Sequence, residues 1–170
     1  MKAFFIPFTV IIIMSLLVVA SKKRPKQDDN GNPILKLPIF YSLIGIATFL
    51  SGFGLIYYLI FGVQEGETIP VIISTLVLFA IGILLYLKGS LFSITILDNG
   101  IKEKTMFGKI KTINWSEMES ITFGKTSLEL KIISSKTKIK AHLHMKGFPH
   151  LVDKIEENTG KTKREMGILI

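Results

Sequence analysis

Residues 39–62 read IFYSLIGIATFLSGFGLIYYLIFG and residues 69–87 read IPVIISTLVLFAIGILLYL, and neither stretch holds an Asp, Glu, Lys or Arg. At 1.5 Å rise per residue, about 20 apolar residues cross a hydrocarbon core of roughly 30 Å. Both stretches are long enough. Pro38 and Pro70 stand where a helix start tolerates proline. Tyr57, Tyr58 and Tyr86 lie near segment ends, where amphipathic rings favour the headgroup layer. Two helices apolar all round need to be wrapped, and the 83 residues from Lys88 onward are too polar and too few to bury them. The sequence therefore predicts transmembrane helices at 39–62 and 69–88, joined by a short external loop at 63–68.

Working outward, residues 3–20 (AFFIPFTVIIIMSLLVVA) form another charge-free run. Val18-Val19-Ala20 before Ser21 fits a small-residue cleavage site, so a cleaved signal peptide is one reading of residues 1–20. Only Lys2 precedes the run, however, and Lys22, Lys23, Arg24 and Lys26 follow it. A basic cluster there resists export and favours a retained first helix. Residues 21–38 hold five basic and two acidic side chains and read as a basic cytoplasmic loop, whereas 63–68 holds Glu65 and Glu67 and no basic residue. The expected topology is a multi-pass protein of the cell membrane, with the amino terminus outside, three helices and a cytoplasmic carboxyl-terminal domain. No charge lies inside any span, which weighs against a pump, a channel or an intramembrane enzyme. Ser42, Gly45, Thr48 and Gly52 form a small-residue stripe suited to close packing against a neighbouring helix.

Composition follows the same division. The chain has 170 residues and a formal net charge of +8, yet its mean hydropathy is +0.46. Positions 88–170 carry 15 basic and 9 acidic side chains. That split excludes a single soluble globule, a disordered chain, and a collagen-like or coiled-coil rod. The absence of cysteine excludes disulfides, cysteine-based zinc sites, iron–sulfur clusters and thiol catalysis.

After Lys88-Gly89-Ser90 the period of the pattern changes from helix to strand. In 91–97, Phe92, Ile94 and Ile96 alternate with Ser93 and Thr95, and Asp98-Asn99-Gly100 reads as a hairpin turn with positive φ. A second strand covers 101–106, Phe107-Gly108-Lys109 is a turn, 110–114 is a third strand, and 119–123 is a fourth. Leu128, Leu130 and Ile132 alternate with Ser127, Glu129 and Lys131 in the fifth. In the sixth, Thr137, Ile139, Ala141 and Leu143 alternate with Lys136, Lys138, Lys140 and His142. Short strands joined by tight turns predict an antiparallel meander with one wet and one buried face. Phe148, Leu151, Val152 and Ile155 then recur at helical spacing, with Pro149 in the first turn and Gly160 past the end. Residues 161–170 read as a loose basic tail that ends in a short apolar stretch.

The serial strands, the Trp-Ser-Glu-Met-Glu-Ser-Ile stretch at 115–121, and the helix after Lys146-Gly147-Phe148-Pro149 resemble bacterial pleckstrin-homology-like domains tethered to a few transmembrane helices. Trp115, Glu117 and Ile121 approximate that family's tryptophan segment, with Met118 at its aliphatic position. The resemblance covers residues 90–160. It implies a partly open barrel of six to seven antiparallel strands in two near-orthogonal sheets, capped by the carboxyl-terminal helix. It implies no activity, because one fold hosts many functions. Phosphoinositide-binding members of the wider fold gather Lys and Arg around a longer first hairpin loop. Here that loop is Asp98-Asn99-Gly100, short and acidic, although Lys102 and Lys104 follow it. The expected fold class is thus a three-helix membrane segment plus a small mainly-β cytoplasmic domain.

Alternation places Lys136, Lys138, Lys140, His142 and His144 on one face, a basic strip able to rest on anionic headgroups, with Lys102 and Lys104 as further candidate contacts. The plainer reading is a solvated strand face whose lysines prevent mispairing, partly neutralised by Glu129. Trp115 reads as a core or hairpin anchor whose indole N–H needs a partner, and Phe148, Leu151, Val152 and Ile155 as core. No Asp, Glu or Cys stands at ligand spacing to complete a zinc site with His142, His144 and His150. G-x-S-x-G, the phosphate loop and the dinucleotide fingerprint are absent from the soluble part. Lysine outnumbers arginine 19 to 2, which disfavours nucleic-acid reading. The expectation is a non-enzymatic membrane protein without metal or cofactor, whose domain is a scaffold or interaction module for an unidentified protein partner. Binding would use sheet edges or the groove beside the final helix. A sensor of anionic membrane lipids and an accessory subunit of a transporter or membrane enzyme are the alternatives, and homo-oligomerisation through the helices stays open.

Overall fold

The structure, a computed structural model, describes Ser15, Val19, Ser21 and residues 23–168. The first candidate span, at 3–20, lies outside the described residues apart from Ser15 and Val19. The chain divides into two compact units, Ile39–Leu91 on one hand and Met1–Pro38 with Phe92–Ile170 on the other.

The first unit is a pair of helices, α1 (Phe40–Phe61) and α2 (Thr68–Leu91). Both are long and apolar enough to cross a membrane, and only 11% of the most apolar window of each is buried. Leu43, Leu50, Ile73 and Leu76 are among many aliphatic side chains left exposed. Their mutual contact is backbone to backbone: a Cβ on Gly45 would lie 2.8 Å from the Gly82 carbonyl oxygen, and one on Gly82 would lie 2.7 Å from the Phe49 nitrogen. Close approach of backbones and small side chains gives such a pair its dispersion attraction. Gly45 and Gly52 of the predicted stripe are buried against α2, while Ser42 and Thr48 are half-buried. Ser42 and Ser90 share a hydrogen bond, Oγ to Oγ, at 3.0 Å. Lys88-Gly89-Ser90, after which the sequence pattern changes, belongs to the end of α2, which runs to Leu91, past the expected end at 88, and Gly89 packs on Ser42.

The second unit is built from eight strands and a helix. β1 (Lys26–Gln27), β2 (Pro33–Lys36), β3 (Ser93–Leu97), β4 (Gly100–Lys104) and β5 (Ile110–Asn114) form one antiparallel sheet in that order. β6 (Ser120–Gly124), β7 (Glu129–Ile133) and β8 (Lys138–His142) form another. A 3-10 turn at Trp115–Glu117 joins the two, and α3 (Phe148–Thr159) follows β8. Residues 21–38 are therefore not a loop. Asp28 accepts hydrogen bonds from the backbone N–H groups of Asn30 and Asn32, folding Asp28–Asn32 into the turn of a β1–β2 hairpin. β2 then pairs with β3, Leu35 opposite Ile94 and Lys36 opposite Ser93. Leu35 is completely buried. One sheet is thus assembled from segments on both sides of α1 and α2.

One row of this sheet runs Lys36, Ser93, Lys104, Ile110 across β2 to β5. At that end the chain leaves for α1, returns from α2, and makes the β4–β5 hairpin. The opposite end carries the β1–β2 and β3–β4 turns, about 13 Å away at roughly 3.3 Å per residue. The β3–β4 turn does not use the positive φ expected at Asp98-Asn99-Gly100, since Leu128 is the one described non-glycine residue in that region and Gly100 is not there either. Gly100 is needed for space: a Cβ on it would overlap the Ile113 carbonyl oxygen of β5. Leu128 (φ 52) turns the chain into β7 instead of belonging to it.

Between the two sheets lie Leu35, Ile94, Ile101, Ile113, Leu130, Ile132 and Ile139, all fully buried. Glu103 joins the sheets. Its carboxylate accepts the Lys140 backbone N–H of β8 at 3.2 Å and pairs with Lys111 at 3.4 Å, and Lys111 donates to the Lys138 carbonyl at 3.2 Å. Phe148, Leu151, Val152 and Ile155 are the buried face of α3, and the Phe148 ring lies 6.3 Å from that of Phe123 in β6. The tail is not loose as expected. Met166 and Ile168 are buried, the Phe123 N–H donates to the Met166 carbonyl at 2.8 Å, and Thr162 donates to Glu165 through both its N–H and its hydroxyl. Apolar side chains at 166 and 168 give the tail a reason to close over β6.

Candidate functional site

The β1–β2 turn, the β3–β4 turn, the 3-10 turn and one side of α3 enclose a groove of about 540 Å³. Asn30, Pro33, Asp98, Trp115, His150 and Lys154 are among the residues that line it. Each wall is held locally. Asp28 organises the first turn; burial pushes its carboxyl up, but hydrogen bonds from Asn32 and Asn30 and the charge of Lys102 outweigh that and hold it below its usual 3.8. Trp115 is half-buried and its indole N–H donates to the Asp98 carbonyl at 2.9 Å, pinning the 3-10 turn to the β3–β4 turn. On α3, Lys154 pairs with Glu157 at 2.7 Å and the Asn158 amide donates to the Lys154 carbonyl. A second groove of about 380 Å³ lies near the amino-terminal end of α3, lined by Lys23, Arg24, Gln27, His150 and Asp153 among others. Asp153 there is paired with Lys163 at 2.7 Å. Such grooves offer hydrogen bonds and apolar edges to an extended peptide.

Lys138 and Lys140 are exposed on the outer face of β8, and His142, half-buried, shares that face. Lys140 stands opposite Lys131 of β7 and pairs with Glu129 at 3.6 Å. Lys136 is exposed in the β7–β8 turn, off the strand. His144 does not extend the strip: it is 3% exposed in the turn after β8, and burial pulls its pKa below 6.5. Its backbone N–H donates to His142 Nδ1 at 3.2 Å. Lys102, half-buried, and Lys104, exposed, lie on the other sheet, apart from the β8 lysines. Among the described residues, no group of three or more His, Asp or Glu side chains is placed to hold a metal ion.

Two of the sheet edges proposed for strand addition are occupied. Glu103 and Lys111 satisfy outward groups of β8, and Met166 and Lys161 bond the Phe123 N–H and the Glu119 carbonyl beside β6. The contribution of residues 23–33 to both grooves was missed in the sequence, although Asp29-Asn30-Gly31 carries the same turn signal as Asp98-Asn99-Gly100. No protein-family model matches the chain, and neither a curated protein nor a solved structure matches it.

Proposed function

We propose that this chain is a membrane-anchored, non-catalytic interaction module of the pleckstrin-homology-like kind, which presents the α3 groove to a polypeptide partner. The observation that carries this reading is the groove itself, about 540 Å³ and walled by Trp115, by two hairpin turns and by α3. Two antiparallel sheets followed by one helix agree with the order the family resemblance implies. Polar groups on its walls are tied to one another in structural pairs (Trp115 to Asp98, Lys154 to Glu157), which suits a rigid docking surface better than a reacting centre. In this account α1 and α2 span the cell membrane. Because β2 and β3 pair, residues 33–36 and 93–97 must share one side of it. The Lys- and Arg-rich composition of 21–38 and 88–170 assigns that side to the cytoplasm. The groove lies at the sheet end opposite Lys36 and Ser93, which suits it to a cytoplasmic partner on this reading.

A photoreactive amino acid at Glu157 of the full-length chain tests the reading in native membranes. A discrete polypeptide adduct from position 157, absent when the same probe replaces Thr122 on the outer face of β6, is the expected result. Equal labelling from both positions, or none from 157, would contradict it.

A further inference from the structure

Outside the helix pair, the described surface exposes few large hydrophobic residues. In the β unit from Lys23 onward only Phe107, 68% exposed, and Ile110, 65% exposed, are of this kind. They stand at the β4–β5 hairpin. The tip is rigid: Thr105 N–H donates to the Lys109 carbonyl at 2.8 Å, Gly108 N–H donates to the Thr105 carbonyl at 3.0 Å, and the Lys109 N–H bonds the Thr105 hydroxyl. Gly108 takes φ 80, the left-handed conformation this turn requires. A tight, closed turn thus holds Phe107 out in solvent, uncovered by the described residues. Lys104 and Lys109 are exposed beside it.

The register places this tip. Ile110 and Lys104 share a row with Ser93 and Lys36, so the hairpin projects from the sheet end at which the chain passes into α1 and out of α2. β3 opens two residues after α2 closes, and β4 and β5 lie one and two strands beyond it. At about 4.8 Å per strand, Ile110 is roughly 10 Å across the sheet from Ser93, the first residue of β3. An aromatic ring and an isoleucine flanked by lysines match the chemistry of an anionic bilayer surface: the rings and aliphatic groups enter the headgroup layer and the ammonium groups meet lipid phosphate.

We infer that the β4–β5 hairpin tip, through Phe107, Ile110, Lys104 and Lys109, inserts into the interfacial layer of the anionic membrane to which the chain is anchored. This rests on the membrane-anchored reading above. It adds an attachment in the β unit itself to the anchoring that α1 and α2 supply. Lys104, read from the sequence as a lipid contact, belongs to this site; Lys138 and Lys140 do not.

The chain has no cysteine, so a single cysteine can be labelled without background. The full-length F107C and N99C variants, each carrying an environment-sensitive fluorophore, are reconstituted in vesicles of equal parts phosphatidylglycerol and phosphatidylcholine containing spin-labelled quencher lipid. Position 107 is expected to be quenched at least about twofold more than position 99, which lies at the opposite sheet end. Replacing Lys104 and Lys109 with Glu in F107C should reduce that quenching. Phe107→Ser with Ile110→Ser should leave the melting of the β unit unchanged, since both side chains are exposed. Equal quenching at 107 and 99 in chain that stays with the vesicles after an alkaline wash would overturn the hairpin inference alone. A fluorophore at 107 that is shielded yet beyond the reach of lipid quenchers would overturn it in favour of a protein contact. Chain that washes off the vesicles would overturn the anchored reading, and the hairpin inference with it.

Discussion

Truncating Leu35 to alanine tests whether residues 33–36 belong to the β unit. The side chain is completely buried, and its neighbour across the ladder, Ile94, is buried as well. Loss of its branched end costs roughly 2.4 kcal/mol at about 0.8 kcal/mol per buried carbon group. A cavity that the sheets cannot close raises this to about 3 kcal/mol, inside the range of about 2–5 found for Leu→Ala in cores. For a domain of this size each kcal/mol lowers the midpoint by roughly 4–8 °C, so the expected fall is roughly 12–24 °C. Trp115 is the single tryptophan, and its emission in detergent micelles on heating reports the β unit without interference from the helices. Lys36→Ala, at the exposed neighbouring position, is the control and should shift stability by no more than about 0.5 kcal/mol. If Leu35→Ala melted with the control, β2 would not be part of the sheet, and a module divided by a membrane hairpin would be the wrong description.

Three further outcomes follow from particular contacts. Glu103→Ala leaves the Lys140 N–H without its acceptor and should cost about 1–3 kcal/mol, whereas Glu103→Gln keeps an acceptor there and should cost less; equal losses by thermal melt would show that the sheet junction does not depend on that bond. The pKa of His144 is lowered in the folded state by burial, so as pH falls the unfolded chain takes up the proton first. Stability from this group is full above about 6.5 and declines as pH drops below it, and the decline should vanish in His144→Gln; a melting midpoint flat between neutral pH and the onset of carboxylate titration would refute it. Removing residues 161–170 takes away the buried Met166 and Ile168 and bares the Phe123 N–H on β6, so the midpoint should fall and aggregation rise on heating, read by light scattering.

Much of the β unit could be read from local pattern. The alternation at 129–133, and the i, i+3, i+4, i+7 spacing from Phe148 to Ile155, correspond to buried faces because solvent on one side and core on the other impose those periods. At 93–97, by contrast, Thr95 is buried together with Ile94 and Ile96, so the wet face expected there is covered. β1 and β2 escaped for a physical reason. Lys26–Gln27 is two residues long and Pro33–Lys36 four, too short for a period to emerge, and the basic residues around them carry a membrane-topology signal that masks a strand. Pairing between Leu35 and Ile94 spans the whole helix pair, and no local pattern encodes a contact at that separation. The charges of the tail outnumber its apolar residues and so suggest a loose end, yet Met166 and Ile168 decide where it lies. Of the grooves, only the α3 side was anticipated. Trp115 and Asp98 come together through the stacking of two turns at one sheet end. The hairpin tip was read as a turn and nothing more, since exposure of Phe107 and Ile110 is known only once the core is built.

Membrane anchoring with a β unit on one side fixes which side of the membrane three positions occupy. Cysteines placed singly at Asn30, Glu65 and Ser135 of the full-length chain, probed in intact cells with a membrane-impermeant maleimide, give the answer directly. Positions 30 and 135 should react only after the membrane is opened, and position 65, between the two helices, should react without opening it. Asn30 and Ser135 reporting opposite sides would contradict the account, because β2 and β3 could not then pair in one sheet.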